Sequence, residues 1–206
     1  MTLARLSVRP YNRGMTTLDL QAYLTERLAL HAPRRVSQPD LAEAGVLVAI
    51  TMEAEPHVIL TRRATHLSSH KGEVAFPGGK RDPEDENIVV TALREAQEEV
   101  ALDPSDVIVL GELDQVVSRF GYLVTPVLAL IPAGVTLVPN LDELDAVFKV
   151  PLAHFKQPPS RYFEMGNIRI PSYDFEGFYI WGLTAMMIAE MMNNLWDSDI
   201  AMSAEL

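Results

Sequence analysis

Cysteine is absent from the 206 residues of this chain, which rules out a disulfide framework and fits a reducing compartment. Long apolar runs are missing too. Nothing approaches the ~18 uninterrupted apolar residues of a membrane span, and the opening stretch to Gly14 lacks the apolar core of a secretory leader. Excess positive charge is also lacking: with a formal net charge of −11, the surface repels polyanions and argues against long nucleic acid as a partner. A small anionic substrate stays open, because a metal ion and a few arginines can reverse the field locally. There are no internal repeats, low-complexity tracts or shifts of composition. The expected compartment is the cytoplasm, with neither membrane nor nucleic acid as partner.

What is present is an ordinary globular balance, 48% hydrophobic and 22% charged residues, enough for one full core. A helix is predicted over Leu18–Leu30, with Thr17 as N-cap and Leu20, Leu24 and Leu28 along one face. Strands are predicted at Val46–Thr51 and Val58–Thr61, with a turn between them, and at Val74–Phe76, ending on a Pro77-Gly78-Gly79 turn. An acidic helix follows over about Asp85–Ala101, stopped by Asp103-Pro104. Val107–Leu110, Leu113–Val117 and Leu123–Ile131 read as strands, Leu141–Phe148 as a strand or loop, and Pro151–Phe155 as one helical turn. Tyr162–Met165, Ile168–Pro171 and Phe178–Trp181 read as short strands before a closing helix at Leu183–Leu195. The closing helix is rich in Met186, Met187, Met191 and Met192, which read as adaptable core filler. Strands with helices on both sides give an α/β or α+β layered fold. Residues 1–40 form an N-terminal helical extension in this reading, and residues 41–206 the main domain.

The acidic helix breaks local rules. Val89, Ala92, Leu93, Ala96 and Val100 fall on one side, toward the core. Glu95, Glu98 and Glu99 share an adjoining arc at i, i+3 and i+4, where like charges destabilise a helix by about 0.2–0.5 kcal/mol per pair. They also lie in the half where the macrodipole disfavours anions. By itself the helix fits two readings: a solvated acidic face partly offset by Arg94, or carboxylates converging on a hard, oxygen-loving cation. The Gly78-Gly79 turn ahead of it permits close backbone approach, as a phosphate-bearing ligand requires.

The run from Gly79 through Arg94-Glu95-Ala96-Gln97-Glu98-Glu99 to Leu102 resembles the Nudix box. That pattern reads Gly, five residues, Glu, seven residues, Arg-Glu, an apolar residue, any residue, Glu-Glu, any residue, Gly and an apolar residue. Two departures are visible. The Gly79-to-Arg94 spacing is one residue longer, so Asp85 or Glu86 stands where the first Glu belongs. Ala101 replaces the late Gly, and Ala is expected to fit a crowded helix end.

Upstream, Leu60-Thr61-Arg62-Arg63 and Gly72-Glu73-Val74-Ala75-Phe76-Pro77-Gly78-Gly79 are similar to the signature of the coenzyme A diphosphatase branch. So are the longer box, Val150-Pro151-Leu152-Ala153-His154 and Trp181-Gly182-Leu183-Thr184-Ala185. The resemblance implies a Nudix-type α/β/α sandwich with a mixed sheet and a catalytic helix. It implies Mg²⁺- or Mn²⁺-dependent hydrolysis of CoA or acyl-CoA to 3′,5′-ADP and 4′-phosphopantetheine. On this reading Glu95, Glu98 and Glu99 hold the metal, Arg94 orients a box carboxylate, and Glu143 is the candidate base or extra ligand. Arg62, Arg63, Lys71, Gly78 and Gly79 line the substrate, the three cations covering for Ser68, which stands where the signature commonly has a basic residue. His66 and His70, with no third soft ligand near them, read as ordinary loop histidines rather than a zinc site. Two alternatives remain: a Nudix hydrolase of ADP-ribose, NADH or another nucleoside diphosphate derivative, and a Nudix-fold binding module without catalysis.

Overall fold

The computed structural model describes residues 17–38, 40–66, 71–166 and 168–202; Ser68 and His70 lie outside them. Helix α1 (Thr17–Leu30) leads into strand β1 (Ala42–Met52), which turns back into β2 (His57–Arg63). The short strands β3 (Val74–Ala75) and β4 (Gly78–Lys80) precede helix α2 (Ile88–Val100). Then come β5 (Ile108–Glu112), β6 (Val116–Val117), β7 (Tyr122–Pro132) and β8 (Leu144–Pro151). A 3₁₀ turn at Leu152–Lys156 leads to β9 (Arg161–Met165), β10 (Ile168–Phe175), β11 (Phe178–Ile180) and helix α3 (Gly182–Trp196).

The main sheet has the order β3-β2-β1-β7-β5, with β4 on β1, β6 on β7 and β8 on β2. It is mixed: β1 runs parallel to β7 from Ala42↔Tyr122 to Met52↔Pro132, while the β1–β2, β1–β4 and β2–β8 pairs are antiparallel. Strands β9, β10 and β11 form a separate three-stranded sheet.

The two-residue period of the central strands divides the core. Leu47, Ala49, Val127 and Ala129 face α2, where Ala92, Ala96 and Val100 cover them. Val48, Ile50, Leu128 and Leu130 face the opposite way, against Leu20 and Leu24 of α1 and Ile188, Met191 and Met192 of α3. Because both faces of β1 and β7 are covered, Val127–Ile131 is an unbroken apolar run rather than an alternation. Met187, Met191 and Met192 of α3 fill this core as expected, whereas Met186 is half-buried outside it. Tyr23 fastens α1 to the end of α3 by donating its hydroxyl to the Leu195 carbonyl at 2.6 Å.

Four expectations are corrected. The acidic helix starts at Ile88, not Asp85, because Asn87 caps it, its Oδ1 accepting from the amides of Val89 and Val90. Gly78-Gly79 is a strand on β1 rather than a turn. The strand expected at Leu113–Val117 shrinks to Val116–Val117, since Asp114 and Gln115 bond instead to the α1–β1 connection at Arg34. Ala101 does not simply fit a crowded end: it is the left-handed cap of α2, with φ 55°, a conformation that disfavours any side chain.

Candidate active site

Helix α2 sits against the β1–β4 ladder because glycines let it. Gly45 pairs with Gly79, and a Cβ on Gly45 would stand 2.7 Å from the Ile88 carbonyl oxygen. A Cβ on Gly78 would meet the β1 backbone at Gly45 and Val46. On Gly79 it would strike the Glu95 carboxylate at 2.5 Å. Gly45 also belongs to the site: it lies just ahead of the strand expected at Val46–Thr51, and only because β1 reaches back to Ala42 does it become an interior strand glycine under the helix.

The three box glutamates part company. Glu99 is 4% exposed, and its Oε2 accepts the Gly78 amide at 3.1 Å. Burial, with the nearby Glu95 and Glu143 charges adding to it against Arg63, pushes its carboxyl up to about 7. Glu95 is half-buried, and burial raises its carboxyl too, opposed by Arg94 and reinforced by the Glu98 and Glu143 charges. Glu98 is 56% exposed at the side chain and pairs with Arg94 at 3.1 Å.

Arg94 is the hub. It grips buried Asp85 with both arms of its fork, Nε to Oδ1 at 3.1 Å and NH2 to Oδ2 at 3.0 Å. It also contacts Glu95 at 3.0 Å and donates to the Lys80 carbonyl at 3.1 Å. The guanidinium holds the Asp85 carboxyl well below the usual carboxylate range. Of the two candidates for the early acidic position, Asp85 is thus the one turned inward onto Arg94, while Glu86 is exposed.

Glu143 comes from the turn before β8 and lies near enough for its charge to raise both Glu95 and Glu99. Two backbone bonds hold this turn to the site: Asn140 donates its amide to the Glu99 carbonyl at 2.8 Å, and Ala64 donates to the Glu143 carbonyl at 2.8 Å. Arg63, on β2, is in the field of Glu99, and its buried Nε has no hydrogen-bond partner among the described residues. Arg62 diverges from it, lying over the Phe178 ring at 5.3 Å, with Asp145 at 3.8 Å. Lys71 is exposed, at the turn before β3.

Glu95, Glu99 and Glu143 therefore supply an oxygen-only donor set in which the Glu143 charge raises the proton affinity of Glu95 and Glu99, and Glu95 adds to that of Glu99, the chemistry that a hard divalent cation relieves. Among the described residues no group of three or more such side chains forms a ready-made metal cage. Arg94 already engages an oxygen of Glu95 and one of Glu98.

A mixed sheet between helices, with a glutamate-bearing helix seated on glycines, defines a family, and the comparisons with known proteins agree. The NUDIX domain model matches residues 42–166. The Nudix hydrolase NudL of Yersinia pestis (strain Pestoides F), itself uncharacterised, is 45% identical over 154 residues, 72% of this chain and 77% of the relative. NudL of Yersinia pseudotuberculosis serotype O:1b (strain IP 31758) matches with the same figures. A MutT/nudix family protein from Enterococcus faecalis shares the fold at a TM-score of 0.50 and 16% identity, over 89% of this chain and 75% of that one. The chain belongs to the Nudix family. Within it, this protein is a Nudix hydrolase, an enzyme of a family that is generally divalent-metal dependent. Among the described residues no helix is long and apolar enough to cross a membrane.

Proposed function

We propose that this Nudix hydrolase cleaves the diphosphate bond of CoA or acyl-CoA, releasing 3′,5′-ADP and (acyl-)4′-phosphopantetheine. One observation carries the reading: the CoA-type signature and the box helix are built into each other. Gly78 of the signature donates to Glu99, Gly79 lies under Glu95, and Arg63 faces Glu99 electrostatically.

Mg²⁺ or Mn²⁺ would be held by Glu95 and Glu99, with Glu98 and Glu143 the further candidates. When bound, the cation neutralises diphosphate charge and acidifies a bound water. The chain's own residues do the positioning. The Gly78 amide fixes the Glu99 carboxylate, and Arg94, anchored by Asp85, sets Glu95. Arg63, whose Nε has no hydrogen-bond partner among the described residues, can take phosphate oxygens bidentately. Glu143 can accept a proton from the attacking water or serve as one more ligand. Arg62 and Lys71 are the nearby cations available for the 3′-phosphate.

The test is a substrate panel of CoA, dephospho-CoA, ADP-ribose and NADH with Mg²⁺ or Mn²⁺, the products identified by chromatography. CoA is expected to show the highest kcat/KM, with activity abolished by EDTA. A lost charged hydrogen bond would lower kcat/KM for dephospho-CoA by about 10- to 150-fold. ADP-ribose cleaved about tenfold better than CoA would overturn the substrate assignment, and full turnover in EDTA would overturn the metal.

A further inference from the structure

The Trp181-Gly182-Leu183-Thr184-Ala185 motif has no part in the site described above. Thr184, buried at the start of α3, donates its hydroxyl to the Val74 carbonyl at 2.9 Å, stitching the motif to the signature strand β3. Trp181 is turned outward, 36% exposed. Two residues apart along an extended segment, Tyr179 and Trp181 project to the same side. Their rings lie 13° from parallel with centroids 6.5 Å apart. Near-parallel rings on one side of a strand form a flat apolar platform, the kind of surface a planar ring stacks on.

Guanidinium groups extend the array. Arg161 lies 5.7 Å from the Tyr179 ring, and Arg119 lies 6.0 Å from Trp181 and 4.6 Å from Phe120. Phe120 is itself 54% exposed. Arg119 pairs with Glu73 at 3.4 Å, and the Glu73 carbonyl accepts the Arg63 amide at 3.0 Å. A continuous chain of contacts therefore runs from the aromatic array to the arginine beside the box.

The geometry points to Tyr179 and Trp181 as a stacking site for a planar heteroaromatic ring, the purine base of the nucleotide substrate, with Arg119 beside it for phosphate. This inference rests on the reading of the substrate as a nucleotide-linked diphosphate, not on its being CoA. Exposed aromatics bind bases face to face without demanding one sequence of donors and acceptors. Arginines beside them add cation–π attraction and phosphate contacts. A protein partner would use the same residue types, but the link through Glu73 to Arg63 favours the small substrate.

Trp181 and Trp196 are the chain's two tryptophans, so a Trp196→Phe variant makes Trp181 the sole indole reporter. The probes are AMP, 3′,5′-ADP and ribose 5-phosphate, titrated into that full-length variant in EDTA, where binding is read without turnover. Saturable quenching by the two nucleotides, with little or none by ribose 5-phosphate, is the expected result. In the enzyme with metal, Trp181→Ala should raise KM by about 5- to 150-fold, the range of one lost base stack, and more than it lowers kcat. Trp181→Phe should recover most of the loss, and Tyr179→Ala should repeat it. Equal quenching by base-bearing and base-free probes, or an unchanged KM in both alanine variants while each melts like the parent, would overturn the assignment. Concentration-dependent self-association lost in Trp181→Ala, with no nucleotide quenching, would also overturn it, in favour of a protein interface. A panel in which ADP-ribose outcompetes CoA would remove the CoA reading and leave the stacking site standing.

Discussion

Gly79 lies directly beneath Glu95: a Cβ there would stand 2.5 Å from the carboxylate of the helix residue. The glycine is thus a shape requirement of the site rather than a flexible turn. Gly79→Ala should push the Glu95 side chain aside, and misplacement of a working group by about 1 Å can lower kcat/KM by about 10²-fold. Kinetics on a Gly79→Ala protein that still melts cooperatively would check this, and near-normal kcat/KM would show that Glu95 is free to move without consequence.

Glu99 should show an inverted pH signature. Its carboxyl is raised from 4.5 to about 7, so the folded protein binds this proton more readily than the unfolded chain. The group therefore costs no stability below about pH 4.5, and the penalty grows as pH rises through 7, to at most about 3 kcal/mol. In metal-free buffer Glu99→Gln should be more stable than the parent at pH 8 and indistinguishable near pH 4.5. The same substitution should lower kcat by about 10²-fold by removing a proposed metal ligand. Urea midpoints measured across pH would check it; a pH-independent difference would contradict the burial argument.

Asp85 should behave in the opposite way. Its depressed carboxyl contributes stability at neutral pH that is lost as pH falls below the ordinary carboxylate range. Asp85 is buried, but Arg94 keeps 24% of its side chain in solvent, so Asp85→Asn should cost about 1–2 kcal/mol, below the range for a fully buried pair. It should also lower activity, by freeing Arg94 from its anchor. Glu86→Gln, at the exposed neighbour, should do neither. Equal effects of the two substitutions, in melting and in kcat/KM, would contradict the inward role of Asp85.

Ala101 offers a stabilising substitution. Its φ of 55° costs a residue with a side chain about 1–2 kcal/mol relative to its preferred conformations, a penalty that glycine escapes. Part of that gain is offset by the greater freedom of an unfolded glycine. Ala101→Gly should therefore raise Tm by about 2–4 °C for a gain near 1 kcal/mol, with kcat unaltered. A lower Tm, measured calorimetrically, would show that another contact holds the cap.

Much of this protein follows from sequence because its patterns are local and physical. The continuous apolar runs Val46–Ile50 and Val127–Ile131 mark strands buried on both faces. The apolar face of Val89–Val100 and the clustered charges of Glu95, Glu98 and Glu99 identify a helix with something to explain, and the Arg94-to-Glu99 core carries the family.

Tertiary structure decided how those residues divide. Three glutamates alike in sequence differ once packed: Glu99 is buried under the Gly78 amide, Glu95 lies against Gly79, and Glu98 stays in solvent on Arg94. Helical spacing gives a direction around an axis but not the depth of protein above it, and depth sets desolvation. Nor could spacing choose between adjacent Asp85 and Glu86, because the choice depends on which carboxyl meets Arg94 across a non-helical loop. The pairing of Gly45 with Gly79 and the nearness of Glu143 to Glu99 join segments 34 and 44 residues apart. No local period records such meetings; only the closing of the sheet around α2 brings them about.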